Sequence, residues 1–161
     1  MPPLSRIGRH ALCRIVGKGV RQSVRRQCPR AVFPVLQLLP IMSEGGAIVF
    51  VSSLGARAAV GTLAAYASTK GAINTLVKYF AAALGTRGIR VNAVAPGAID
   101  TPMTAPMHGA AEIVESELAH IPLRRFGFVT EIAPTVAFLC TEQSSYTSGA
   151  IFVVDGASDC V

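Results

Sequence analysis

The sequence predicts an α/β domain built on a parallel sheet, and three observations predict it. Residues 47–52 (AIVFVS), 89–95 (IRVNAVA) and 150–154 (AIFVV) are short apolar runs rich in β-branched residues and bounded by turn formers. The segments between them carry the three-and-four apolar spacing of helices. Pro96-Gly97 and Asp155-Gly156 stop the second and third runs abruptly. Strand, helix, strand, helix, strand is the grammar of a parallel sheet, because parallel neighbours need a crossover long enough to hold a helix.

The elements follow in order. Residues 35–42 suit the end of a helix leading into a turn at Ser43-Glu44-Gly45-Gly46. The run 47–52 alternates poorly with polar residues, so it reads as a strand buried on both faces. Thr62 is placed to cap the next helix, where Ile73, Leu76, Val77, Phe80 and Leu84 form one apolar stripe that Gly85 and Gly88 end. Gly71 is costly inside that helix unless neighbouring backbone or a partner helix approaches it closely. Pro102, Pro106 and Gly109 mark a loop, followed by a short charged helix over 112–119. A further helix begins after Thr130 and runs to Cys140, with Pro134 expected in its first turn.

Composition narrows the function classes. The 161 residues suffice for one domain and one core. Half are apolar and 15% are charged, which suits a globular chain rather than a disordered one. No uncharged apolar run approaches the roughly 20 residues of a membrane span. Cys13, Cys28, Cys140 and Cys160 form no Cys-x-x-Cys pair, and His10, His108 and His120 stand alone, so free thiols and no metal site are expected. The net charge of +6 conceals an uneven distribution. Residues 1–43 hold eight Lys/Arg and no Asp or Glu, whereas residues 44–161 hold seven basic and nine acidic residues. Nothing in the body points to nucleic acid. The basic head, residues 1–34, admits three readings: an organelle transit peptide, a tail for an anionic surface, or the product of a shifted start codon or reading frame.

The chemistry lies in Ser53-x12-Tyr66-x3-Lys70. Tyrosine and lysine four apart on a helix share a face. An ammonium beside a phenol favours the phenolate and lowers a pKa that starts near ~10. Such a tyrosine can exchange a proton with an alcohol or carbonyl oxygen near neutral pH, and a nearby serine hydroxyl can hold that oxygen. Ser52 would point to the opposite side of a continuing strand, so spacing favours Ser53. The missing piece is a hydride carrier, which no side chain supplies.

Gly46-Ala47-Ile48-Val49-Phe50-Val51-Ser52-Ser53, Tyr66-Ala67-Ser68-Thr69-Lys70-Gly71-Ala72 and Arg90-Val91-Asn92-Ala93-Val94-Ala95-Pro96-Gly97 resemble, in order and spacing, the short-chain dehydrogenase/reductases. The resemblance runs from Val35 to Gly156. It implies a partial Rossmann-like domain, residues 35–161, equivalent to the C-terminal half of the family fold. It also implies NAD(P)-dependent interconversion of small alcohols and ketones. Tyr66 would be the acid/base, Lys70 its tuner and a ligand of the nicotinamide ribose, and Ser53 the clamp on the substrate oxygen. Pro96, Gly97, Ile99 and Thr101 would form the turn that holds the carboxamide, with NAD or NADP as cofactor. A homo-oligomer is implied through the helix that carries Ala81-Ala82-Ala83, and a cytoplasmic location unless the head directs the chain to an organelle. The family's phosphate-binding glycine turn has no counterpart, since Gly17-Lys18-Gly19 follows no strand of useful length. Without that half, residues 47–52 would form an open sheet edge. A second reading follows: a non-catalytic remnant serving as an oligomerisation or regulatory module.

Overall fold

The structure, a computed structural model, describes residues 30–59 and 63–160. A helix, α1, occupies residues 30–38 and ends in turns that lead to β1 (Ala47–Val51). There follow α2 (Ala64–Leu84), β2 (Arg90–Pro96), β3 (Ile99–Asp100), α3 (Ala111–Ala119), β4 (Gly127–Phe128), α4 (Val129–Cys140) and β5 (Ile151–Val154). The main sheet has the order β1-β2-β5 with every pair parallel, and β3 and β4 form a separate two-residue parallel pair. The expected α/β class and its three parallel strands are therefore present.

β2 is the middle strand, and its burial shows it: Val91, Ala93, Val94 and Ala95 are all fully buried. β1 is different. Among the described residues it pairs only with β2, and Phe50 alone of its five residues is buried. The expectation of a strand buried on both faces thus fails for β1 and holds for β2, because an edge strand keeps one flank open. The core joins Phe50, Val91 and Ala93 of the sheet to Ile73, Val77 and Leu84 of α2, with Val35 of α1 and Ile89 closing it. Phe80 stacks on Phe50 at 6.2 Å between ring centroids. Four residues of the stripe read from the sequence, Ile73, Val77, Phe80 and Leu84, form this contact surface, and Leu76 stands outside the core cluster.

Local chemistry sets the element ends. α2 closes into a 3₁₀ turn at Gly85–Arg87, and Gly88 reverses the chain at φ 67°. The Thr62 cap lies outside the described residues, and the helix begins after Leu63 with no side-chain cap. Pro134 sits in the second turn of α4 rather than the first, where it removes one intrahelical donor. At the N-terminus of α4, Glu131 reaches back to accept the Phe128 N–H at 2.9 Å, half of a capping box. No neighbouring group lies within 4 Å of the position a Cβ would take at Gly71, so the close approach expected there is absent from the described chain.

The far end of α4 is capped by a buried cation. Arg90, 8% exposed at the start of β2, donates to Leu139 O at 2.8 Å, Thr141 O at 3.1 Å and Ser144 Oγ at 2.7 Å. The Ser144 hydroxyl in turn donates to Phe138 O at 2.9 Å. Orphan carbonyls of a helix C-terminus and its negative dipole end hold the guanidinium in the absence of any carboxylate partner in this network. Asn92 continues the pattern: its amide donates to Thr147 O at 2.8 Å and accepts the Ala150 N–H at 3.0 Å, aligning β5 beside β2.

Two substitutions test these assignments by thermal or denaturant unfolding. Arg90→Ala removes the donor to Leu139 O and one of the bonds at Thr141 O and Ser144 Oγ, and should lower stability by about 3 kcal/mol; a change below about 0.5 kcal/mol would contradict the capping role. Gly71→Ala should raise stability by about 0.5–1 kcal/mol, since the helix gains propensity and meets no obstacle. A loss of stability would show that another chain packs against that glycine.

Candidate active site

A parallel sheet brings the carboxyl ends of its strands to one edge. Pairing sets Val51 beside Val94 and Pro96 beside Val154, so the residues after each strand converge there. Ser53 follows β1, Gly97 follows β2 and Asp155 follows β5. In open α/β sheets this edge is where ligands bind.

The β1 side carries the proton-transfer candidates. Ser53 caps the short 3₁₀ turn Leu54–Ala56 and accepts the Gly55 N–H at 3.2 Å, a bond that fixes the serine's rotamer. Tyr66 and Lys70 stand in the first two turns of α2. The Lys70 ammonium lies 5.6 Å from the Tyr66 ring centroid, within cation–π range, and donates to Val51 O at 2.9 Å. A single cation thus touches both the tyrosine ring and the strand end two residues before Ser53. Burial pushes the Lys70 ammonium below its ordinary pKa. Two of its three N–H groups remain available to other acceptors.

The β2 side carries the turn. Gly97 is packed so closely on Asp155 that an added Cβ would stand 2.7 Å from Asp155 Cβ and 2.8 Å from its Cα, so only glycine fits. Beyond it, one hydroxyl organises the loop. Thr104 Oγ1 donates to Ile99 O at 2.7 Å and accepts the Thr101 N–H at 3.0 Å, and the Thr101 hydroxyl lies 3.3 Å away. Thr104 was not legible as a site residue: its signal is only a hydroxyl three positions after Thr101, a common turn pattern.

The β5 side closes the edge. The Asp155 carboxylate accepts the Ala157 N–H at 3.0 Å and the Asp159 N–H at 2.6 Å. Ala157 is held at φ 72°, a left-handed conformation that explains why glycine suits this place. The turn presents Asp159 to Arg57, whose Nη2 lies 2.8 Å from Asp159 Oδ2. This ion pair fastens the loop after Ser53 to the end of the chain. A cavity of about 100 Å³ opens between the β2 and β5 turns, lined by Ala98, Ile99, Leu123, Val154 and Gly156 with Arg125 and Glu131 among its walls. Arg125 holds Glu131 through two bonds, at 2.6 Å and 2.7 Å.

The residues present fit the nicotinamide end of a dinucleotide: a half-buried lysine with spare donors, a glycine-tight turn and two threonine hydroxyls at one sheet edge. They do not provide the phosphate end, for among the described residues no strand leads through a glycine-rich turn into a helix, and Gly17-Lys18-Gly19 lies outside them.

A helix-flanked parallel sheet with the ends of its strands gathered at one edge defines a Rossmann-type α/β fold. The comparisons agree. The family described as Enoyl-(Acyl carrier protein) reductase matches residues 18–157, beginning earlier than the Val35 boundary read from the sequence. The 3-oxoacyl-[acyl-carrier-protein] reductase of Thermotoga maritima is 39% identical over 130 residues, which cover 79% of this chain and 52% of that protein. A chloroplastic tropinone reductase homologue of Arabidopsis thaliana is 39% identical over 129 residues, 78% of this chain and 40% of the relative. Among solved structures, a short chain dehydrogenase family protein of Francisella tularensis superposes with a TM-score of 0.75 at 28% identity, covering 81% of this chain and 58% of that one. A candidate 2-deoxy-D-gluconate 3-dehydrogenase of Agrobacterium tumefaciens with bound NADP gives a TM-score of 0.71 at 31% identity, covering 77% and 50%. The chain belongs to the short-chain dehydrogenase/reductase family. It spans about half the length of the curated relatives it matches.

The Arg125–Glu131 clamp has a pH signature. Its hydrogen bonds from Arg125 and from the Phe128 N–H hold the Glu131 carboxyl at about 2, below the usual 4.5. A carboxylate depressed in this way adds stability that is complete above pH 4.5 and is lost as the pH falls through 2. Carboxyl-carbon NMR should find the Glu131 midpoint near 2 and Arg125→Gln should move it toward 4.5. A midpoint of 4.5 in the unaltered protein would mean that the clamp does not persist in solution.

Proposed function

We propose that this chain carries the catalytic half of an NAD(P)-dependent oxidoreductase that interconverts a small alcohol and its ketone. The observation that carries the reading is the position of the Lys70 ammonium, against the Tyr66 ring and on the carbonyl of Val51. In the direction of reduction, the Tyr66 hydroxyl gives its proton to the substrate's carbonyl oxygen. The Ser53 hydroxyl donates a hydrogen bond to the same oxygen and holds it during the transfer. The fixed positive charge of Lys70 stabilises the negative charge that builds on Tyr66 as the proton leaves. The hydride for the carbonyl carbon would come from a dihydronicotinamide when one is bound. Lys70 would hold its ribose through the donors not used by Val51, and Pro96, Gly97, Ile99 and Thr101 would hold its carboxamide end. Oxidation runs the same steps backwards. Either NAD or NADP would serve as the cofactor.

Two further assignments rest on surfaces. Of Ala81-Ala82-Ala83, Ala81 packs against the core, while Ala82 and Ala83 are exposed beside Tyr79 on α2, which supports a homo-oligomer packed helix to helix. Cys140 and Cys160 form no disulfide among the described residues, which supports a reducing compartment such as the cytoplasm. No helix of the described residues is long and apolar enough to cross a membrane.

Titration with NADH and NADPH, followed by turnover with a panel of ketones, tests the reading. Tyr66→Phe should lower kcat by about 100-fold or more while cofactor affinity changes only a few-fold. Turnover that survives the substitution would remove Tyr66 from the acid/base role. Absence of binding at millimolar cofactor would favour the non-catalytic module.

A further inference from the structure

Ser52 has no part in the proton transfer, yet it is better buried than Ser53, at 2% exposure. Its hydroxyl donates to Asn74 Oδ1 at 2.6 Å, with Lys70 O the next acceptor at 3.4 Å. Asn74 stands on α2 one turn beyond Lys70, whose ammonium donates to Val51 O at 2.9 Å. Two adjacent residues at the end of β1, Val51 and Ser52, are therefore each bonded to the single turn 70–74 of α2. One bond runs from helix to strand and the other from strand to helix, so the two elements cannot slide past each other without breaking both. The Ser52 N–H also donates to Val94 O at 2.7 Å, which ties the same point to the central strand.

The geometry points to Ser52 and Asn74 as positioning residues: their hydrogen bond fixes the early turns of α2 against the end of β1, and so sets where the Lys70 ammonium and the Tyr66 ring stand relative to Ser53. This inference rests on the roles proposed for Ser53, Tyr66 and Lys70, but the contact itself is independent of them. A buried hydroxyl facing an amide oxygen is directional in a way that two apolar side chains of the same volume are not. Its loss would leave the core packed and the lysine free to drift.

The test reads Lys70 directly. The chain has three lysines, Lys18, Lys70 and Lys78, so carbon-labelled lysine gives a spectrum simple enough to follow one side chain. In the unaltered protein burial holds the Lys70 midpoint below 10.5. Asn74→Ala and Ser52→Ala should each move it up toward 10.5, and the double variant should move it no further than either alone. Where the chain turns over, kcat should fall about ten- to a hundredfold with KM changed much less. Ser52→Ala removes one oxygen atom and serves where Asn74→Ala does not fold; if neither variant folds, the bond is a determinant of folding and the positioning role is overturned. A fall in melting temperature with the Lys70 midpoint unmoved would likewise overturn it. A shifted midpoint in a protein without dehydrogenase turnover would leave the positioning role standing and remove the proposed reaction instead.

Discussion

The end of β1 is held against the first turns of α2, and the rest of the site depends on that contact. Four polar groups make it: the Val51 carbonyl, the Ser52 hydroxyl, the Lys70 ammonium and the Asn74 amide oxygen. Helix and strand are otherwise joined by apolar packing, which is strong but tolerant of small shifts in register. Hydrogen bonds add a directional constraint to that packing where the end of β1 meets the early turns of α2. Chemistry that depends on a proton passing between positioned oxygens needs this kind of constraint.

The remaining architecture serves the same edge. β2, buried along its length, provides the reference against which the other strands are registered, and Asn92 fastens β5 to it. Arg90 secures α4 by its last carbonyls, and Glu131 secures the first turn of the same helix. The turn after β5 packs Asp155 on Gly97 and presents Asp159 to Arg57, so the turn after β2 and the serine loop share one support. An exposed ion pair of this kind contributes little to stability. Its contribution lies in joining residues 102 apart in sequence at the mouth of the site.

Much of this was legible in the sequence because it rests on periodicity or on stop signals. The three strands, the apolar face of α2, its termination at Gly85 and Gly88, and the reversal after Pro96 all follow from local patterns. The pairing of Tyr66 with Lys70 followed from helix periodicity, and Ser53 joined them through the resemblance to the short-chain dehydrogenase/reductases. What was not legible depends on partners distant in the chain. β3 and β4 are two residues long, below any period, and exist only because Ile99 and Gly127 are brought side by side. Arg90 reads as an ordinary strand-end cation until α4 places its carbonyls there. Ser52 reads as a bystander until Asn74 appears opposite it. Gly71 signals a close neighbour that the described chain does not contain, and β1 reads as buried on both faces although only Phe50 of its five residues is buried.

The most direct measurement is the distance from Ser53 Oγ and from Tyr66 Oη to a single ketone-analogue oxygen, in a crystal of the full protein with NADP. The account predicts that both hydroxyls lie within about 3 Å of that oxygen, with Lys70 still bonded to Val51. An analogue oxygen seated away from both hydroxyls, with Lys70 turned from the Tyr66 ring, would contradict it.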